Sequence, residues 1–186
     1  MILLASVLVG LGLGFLRGGR WNRLTRLPFR WGLWAVVGLA AQLWIVQVPG
    51  EPGLGPRWWV MAASYALLLA VVWRNRQSPG MWLIGLGLLL NGVVILANGG
   101  GMPITPQMME RLGVPVEVTQ QAMRVFVPRA KDIVLPREET RLWFLSDIGF
   151  LPILGGVAFS IGDVLIAGGV IWLLDAGLRG HSLTTG

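Results

Sequence analysis

Five long apolar blocks limit what this chain can fold into. They cover residues 1–16, 31–48, 58–73, 81–97 and a stretch within 153–174. Apolar runs of this length, without strand-like alternation, read as membrane helices. The charged fraction agrees: it is 13% here, against about 25% in a soluble domain. Mean hydropathy is +0.68. A single membrane domain over 1–186 is expected, not two domains.

Block ends carry their own signals. Residues 1–16 lack charge and resemble a signal peptide, but no basic residues precede them and no small-x-small site follows, so they read as a retained helix. At about 1.5 Å per residue the block is short for a hydrocarbon core of about 30 Å, and Arg17 could snorkel to complete it. Pro49-Gly50-Glu51-Pro52-Gly53 ends the second block, because Pro cannot continue a helix and Gly favours its cap. Arg74-Asn75-Arg76 closes the third and Asn98-Gly99-Gly100-Gly101 the fourth. Gly10 and Gly14 form a small-xxx-small pair, read either as a helix contact or as glycine-rich composition.

Loop charge sets the orientation. Arg17, Arg20, Arg23, Arg26 and Arg30 occupy 17–30 with no acid, and Arg74 and Arg76 occupy 74–80 with none. The 49–57 loop has Glu51 and Arg57, and 98–155 has six basic and six acidic residues. Basic loops stay in the cytoplasm. Five spans with the N-terminus outside and the C-terminus inside satisfy every loop. Trp31, Trp58, Trp59, Trp73 and Trp82 at block ends suit the headgroup zone.

Several chemistries are excluded. The chain has no Cys, so thiolate metal sites, iron–sulfur clusters and thiol catalysis are ruled out. Its single His, His181, lies in the polar tail, away from any bundle site. The net charge of +6 does not indicate nucleic acid, since the basic residues sit in short loops beside apolar blocks.

The 98–155 segment is long enough to be folded or functional in itself. Thr105-Pro106 reads as an N-cap followed by Pro at the first helical position, with Gly113 as the stop. A second helix is expected over 115–126 and a third, amphipathic one over 140–148. Met102, Met108, Met109 and Met123 read either as packing for these helices or as an adaptable partner-facing patch.

Five polar residues are candidates for ligand binding: Asn98, Lys131, Asp147, Ser160 and Asp163. Asp163 has two readings. As an intramembrane carboxylate it marks a functional site. In Ser160-Ile161-Gly162-Asp163 it has the spacing of a capping box, which starts the last helix near 161 and moves Asp163 outward. Asn98-Gly99-Gly100-Gly101 is either an anion-binding concavity or a plain helix cap. Lys131, the only Lys, is an anion contact, a nucleophile or a solvated charge. Asn91 and Gln42 inside spans read as interhelical hydrogen bonds or, less readily, as ligand contacts.

Arg17-Gly18-Gly19-Arg20, Asn98-Gly99-Gly100-Gly101-Met102-Pro103, Leu145-Ser146-Asp147-Ile148 and Phe159-Ser160-Ile161-Gly162-Asp163-Val164-Leu165-Ile166-Ala167 together resemble an uncharacterised family of small bacterial membrane proteins, known only as a domain of unknown function. The resemblance runs in order along nearly the whole chain. It implies a bacterial inner-membrane location and supplies no activity.

The expected fold is an all-α integral membrane bundle of about five transmembrane helices, over about 2–16, 31–48, 58–73, 81–97 and 160–178. Short helices are expected in an extracytoplasmic segment, 98–155. The expected function is non-catalytic: a small membrane subunit or binding protein whose external segment contacts a lipid headgroup, small ligand or partner. The alternative is a small transporter or membrane enzyme using Lys131, Asp147 and Asp163 near the outer leaflet. No zinc-protease, nucleophile-elbow or P-loop motif supports catalysis. No cofactor or metal is expected. The partners expected are membrane lipid, with a membrane protein complex or a second copy of the chain as alternatives, and no nucleic acid.

Overall fold

The computed structural model describes residues 2–24, 29–153 and 156–180. Arg26, Gly155 and His181 lie outside the described residues. The chain is mostly helical, 61% helix and 8% strand. In order come α1 (Ile2–Leu16), a short α2 (Trp21–Leu24), α3 (Gly32–Ile45), α4 (Pro56–Arg74) and α5 (Met81–Ala97). Next come β1 (Met102–Ile104), α6 (Pro106–Arg111), α7 (Val116–Gln121), β2 (Asp132–Val134), β3 (Gly149–Leu151), β4 (Val157–Phe159) and α8 (Ile161–Arg179). α4 and α8 are long and apolar enough to cross a membrane, while α1, α3 and α5 are shorter apolar helices.

The helices pack in the series α1–α8–α5–α4–α3, so the last helix in sequence lies between the first and the fifth. Glycine permits this approach. A Cβ on Gly10 would meet the Ile171 backbone at 3.0 Å, and one on Gly87 would meet the Gly162 carbonyl oxygen at 2.5 Å. The Gly10/Gly14 pair is therefore a helix contact, with α8 as its partner. Gln42 and Ser64 join α3 to α4 through a 3.1 Å hydrogen bond. At the α8 C-terminus, Arg17 and Arg179 both reach Asp175 Oδ2, at 3.1 and 2.7 Å. Arg17 is thus ion-paired across the α1–α8 contact.

The segment after α5 departs from the all-helical expectation. β1 pairs with β2 in parallel, in the register Met102–Asp132, and β3 pairs with β4 antiparallel. Strands of three residues are too short to show alternation in sequence, and the β1–β2 partners are thirty positions apart. α6 starts as read, with Thr105 Oγ1 accepting from Met108 N at 3.2 Å. The second helix ends early, at Gln121. Arg124 takes a left-handed φ of 59°, and Met123 and Phe126 bridge to Val134 and Ile133 instead. The third expected helix, 140–148, is only a 3-10 turn at Trp143–Leu145. Leu142 is left-handed there, and the Asn98 side chain takes up both backbone polar groups of Arg141, at 2.9 Å each.

Met108 and Met109 join Ile104 and Val134 in a small buried core, with Met123 packed against it. Met102 lies in a second core with Ile45, Met61, Tyr65, Val94 and Ile95. The packing reading of the methionines holds.

Candidate functional site

The site forms where the 98–153 segment meets the start of α8. Ser160 is the N-cap: its Oγ accepts from Asp163 N at 3.0 Å, and Asp163 Oδ2 accepts from Ser160 N at 3.1 Å. The reciprocal pair satisfies two backbone donors left free by the helix start, and the carboxylate faces the positive end of the helix. Ser160 is fully buried, and its hydroxyl also donates to Asn91 Oδ1 at 2.9 Å. Asn91 Nδ2 in turn donates to Asp163 Oδ1 at 2.9 Å. The Asn91 amide is therefore an α5–α8 connector, and it clasps the cap.

The capping box does not account for all of Asp163. Lys131 Nζ lies 3.6 Å from Asp163 Oδ1, so the carboxylate also holds the 98–153 segment. Lys131 is placed by the strand just beyond it. Its carbonyl accepts from Met102 N at 2.8 Å as the β1–β2 pairing begins. Arg57 at the start of α4 fixes the same turn. It donates to Ala130 O at 2.8 Å and Gly100 O at 3.3 Å, and its guanidinium lies 3.7 Å from the Phe126 ring centroid.

Asp147 and Asp132 complete the charge cluster. Asp147 N donates to Pro103 O at 3.3 Å, which sets the residue beside β1. Oδ1 of Asp147 and Oδ1 of Asp132 are both buried, with no hydrogen-bond partner among the described residues. Burial pushes the Asp147 carboxyl up to about 7. The Lys131 ammonium pulls against that rise, and the Asp132 and Asp163 carboxylates add to it. Burial also raises Asp132, again opposed by Lys131. For Lys131, burial disfavours the ammonium, but the carboxylates of Asp147, Asp163 and Asp132 outweigh it and hold the group above the usual lysine value. Lys131 is therefore favoured as the ammonium, paired with Asp163 and close in charge to Asp147 and Asp132.

Asp147 also faces an open cleft of about 440 Å³. Buried Met108, Thr140, Ser146 and Asp147 form its floor, and exposed Gln107, Arg111, Arg137 and Glu138 its rim. Trp143 lines one side, with the Arg137 guanidinium stacked 3.5 Å from its ring centroid. Among the described residues neither Arg111 nor Arg137 is in an ion pair.

Of the five residues proposed from sequence, the structure brings Lys131, Asp147, Ser160 and Asp163 into one neighbourhood. Asn98 stands apart from the charges. Its amide donates to Val94 O at 2.8 Å and clasps Arg141, and it thereby holds the Trp143 turn against the end of α5. The glycines after it act as a helix end, with Gly100 N donating to Ile95 O at 2.8 Å. Sequence reasoning missed Arg57, Asp132, Arg111 and Arg137. Asp132 had a signal in its adjacency to the only Lys. Arg57 had none, because its partners Gly100 and Ala130 lie on distant turns, and nothing local in the sequence sets Arg111 and Arg137 on one cleft.

A family model described as a family of unknown function (DUF5317) matches residues 26–174. No curated protein and no solved structure matches the chain.

Proposed function

This chain belongs to that family of unknown function, and we propose that it is a multi-pass membrane protein that binds a phosphate-bearing lipid headgroup in the cleft of its 98–153 segment, without catalysing a reaction. Five spans are proposed: α1, α3, α4, α5 and α8. Their outward faces support this. Leu4, Leu8, Leu33, Val36, Leu43, Leu89, Val164 and Trp172 are exposed, and less than half of the apolar windows of α4 and α8 is buried. A core helix of a soluble protein would hide those side chains, whereas lipid tails accept them. The Arg-rich loops favour a topology with the N-terminus and the 98–153 segment outside and the C-terminus inside a cytoplasmic membrane.

The observation that carries the binding reading is the pair of guanidinium groups on one cleft rim, Arg111 and Arg137, which are in no ion pair among the described residues, with Arg137 stacked on Trp143. Guanidinium is the side chain best matched to phosphate oxygens. Exposed Trp143, Phe144 and Ile148 lie next to the cleft, and Asn98 ties their turn to the end of α5, where a span would leave the bilayer.

Lipids retained by the chain in mild detergent, identified by mass spectrometry, test this. Arg111→Ala with Arg137→Ala should strip bound phospholipid, while Arg124→Ala should not. Equal lipid content in all three proteins would defeat the reading. A second reading, a small transporter or membrane enzyme, draws on the Lys131–Asp163–Asp147 cluster beneath the cleft. Solute flux or lipid turnover by the reconstituted chain, lost in Lys131→Gln, would favour it.

A further inference from the structure

The cleft has a cationic rim and an acidic floor, and the floor is short of a donor. Asp147 is only 5% exposed, and its Oδ1 has no hydrogen-bond partner among the described residues. Neighbouring side chains do not supply one. Ser146 Oγ donates to Trp143 O at 2.6 Å, and Thr140 Oγ1 to Pro136 O at 2.9 Å. Lys131 pairs with Asp163 and is shared electrostatically with Asp132 and Asp147.

Charge counting points the same way. With all three ionised, Asp132, Asp147 and Asp163 would carry three negative charges against the ammonium of Lys131 and the guanidinium of Arg57, which is coupled to Asp132. The cluster would then be one positive charge short, and a cation beside Asp147 would offset the deficit that, together with burial, otherwise favours its protonated form. Among the described residues no group of three acids or histidines is arranged to hold a metal ion. A primary ammonium, with three N–H donors and one charge, fits both shortages.

Resting on the headgroup reading above, we propose that the cleft selects a phosphoethanolamine group: the phosphate meets Arg111 and Arg137 on the rim, and the primary amine meets Asp147 on the floor. The bilayer form, phosphatidylethanolamine, is the source, because exposed Phe144 and Ile148 and the Trp143 turn would lie at headgroup level beside the cleft. A quaternary amine has no N–H to give Asp147, and a glycerol headgroup has no charge to give it. Selection therefore acts through the amine, whereas affinity for phospholipid in general acts through the arginines.

The test uses the full chain in mild detergent, titrated with phosphatidylethanolamine, phosphatidylcholine or phosphatidylglycerol and read by native mass spectrometry. Phosphatidylethanolamine should bind about tenfold more tightly than the other two, as expected for one charge-assisted hydrogen-bond set. Asp147→Asn should erase that preference and leave phosphatidylglycerol binding intact. The comparison of three lipids on the unaltered chain needs no variant to fold. Equal binding of the three lipids, still dependent on Arg111 and Arg137, would overturn the amine inference and leave the headgroup reading standing. Binding of neither a lipid nor soluble phosphoethanolamine would overturn both. Soluble phosphoethanolamine supplies the other arm. If it binds at micromolar concentration while no lipid is retained, the chemistry stands but the lipid source is wrong.

Discussion

Lys131 Nζ lies 3.6 Å from Asp163 Oδ1, joining the turn before β2 to the first turn of α8 across thirty-two positions of chain. The same carboxylate caps its own helix and accepts from Asn91. One acid therefore couples three elements, and disturbing it should be felt in both the bundle and the cleft.

Removing the ammonium is the sharper disturbance. Lys131→Gln leaves Asp132, Asp147 and Asp163 close together without their shared cation. Breaking a fully buried pair costs about 3–5 kcal/mol. The Lys131 side chain is 37% exposed, so a smaller loss, about 1–3 kcal/mol, is expected. Thermal unfolding in detergent reads it. A midpoint equal to that of the unaltered chain would mean that the pair holds nothing.

The cap predicts a different pattern. Ser160→Ala removes the acceptor for Asp163 N and the donor to Asn91, and should cost about 1–2 kcal/mol. Asp163→Asn keeps an acceptor for Ser160 N and most of the fold, and loses the pairing with Lys131. If Asp163→Asn proved far more damaging than Ser160→Ala, the helix start would depend on the charge and not on the capping geometry.

Asp147 predicts a pH dependence. Its carboxyl is raised from 3.8 to about 7 in the folded chain. The protonated form is favoured on folding, so this contribution is fully present below about pH 4 and is lost as pH rises through about 7. At about 1.4 kcal/mol per unit, the loss is of order 4 kcal/mol at most. Asp147→Asn cannot titrate. It should match the unaltered chain near pH 4 and exceed its stability by a few kcal/mol at pH 8. Parallel pH profiles for the two proteins would show that Asp147 is not the titrating group.

Gly162 tests the close packing of α5 on α8. A Cβ there would run into the Asn91 carboxamide and come within 2.8 Å of the Gly87 carbonyl oxygen. Gly162→Ala should therefore cost about 1–3 kcal/mol through overpacking, and should disturb the Asn91–Ser160 bond. Gly168→Ala, with nothing within 4 Å, is the control and should be neutral. Equal midpoints for the two variants would contradict the packing.

The proposed topology can be read with thiol labelling, because the chain has no Cys. Glu117 and Gln77 are both exposed. An impermeant reagent on intact cells should label Glu117→Cys and spare Gln77→Cys. The reverse pattern would invert the topology.

The apolar blocks by themselves determined where the helices lie, because continuous hydrophobicity over fifteen or more residues is a local property of the chain. α1 and α5 match their blocks, and α8 starts at Ile161, where the Ser160 cap placed it. The capping box at Ser160, the Thr105-Pro106 start and the Gly113 stop were legible for the same reason: they act within one turn. The tertiary structure decided the rest. Three-residue strands, the Asn98 clasp on Arg141 and the Arg57 link to Ala130 are pairings between distant positions, and no periodicity announces them. The site follows the same division. Lys131, Asp147, Ser160 and Asp163 could be named from the sequence because charge and capping residues are rare in so apolar a chain. That Lys131 lies near three acids, and that Asp147 has no donor among the described residues at the floor of a cleft rimmed by Arg111 and Arg137, depends on distances and burial that exist only once the segments have packed.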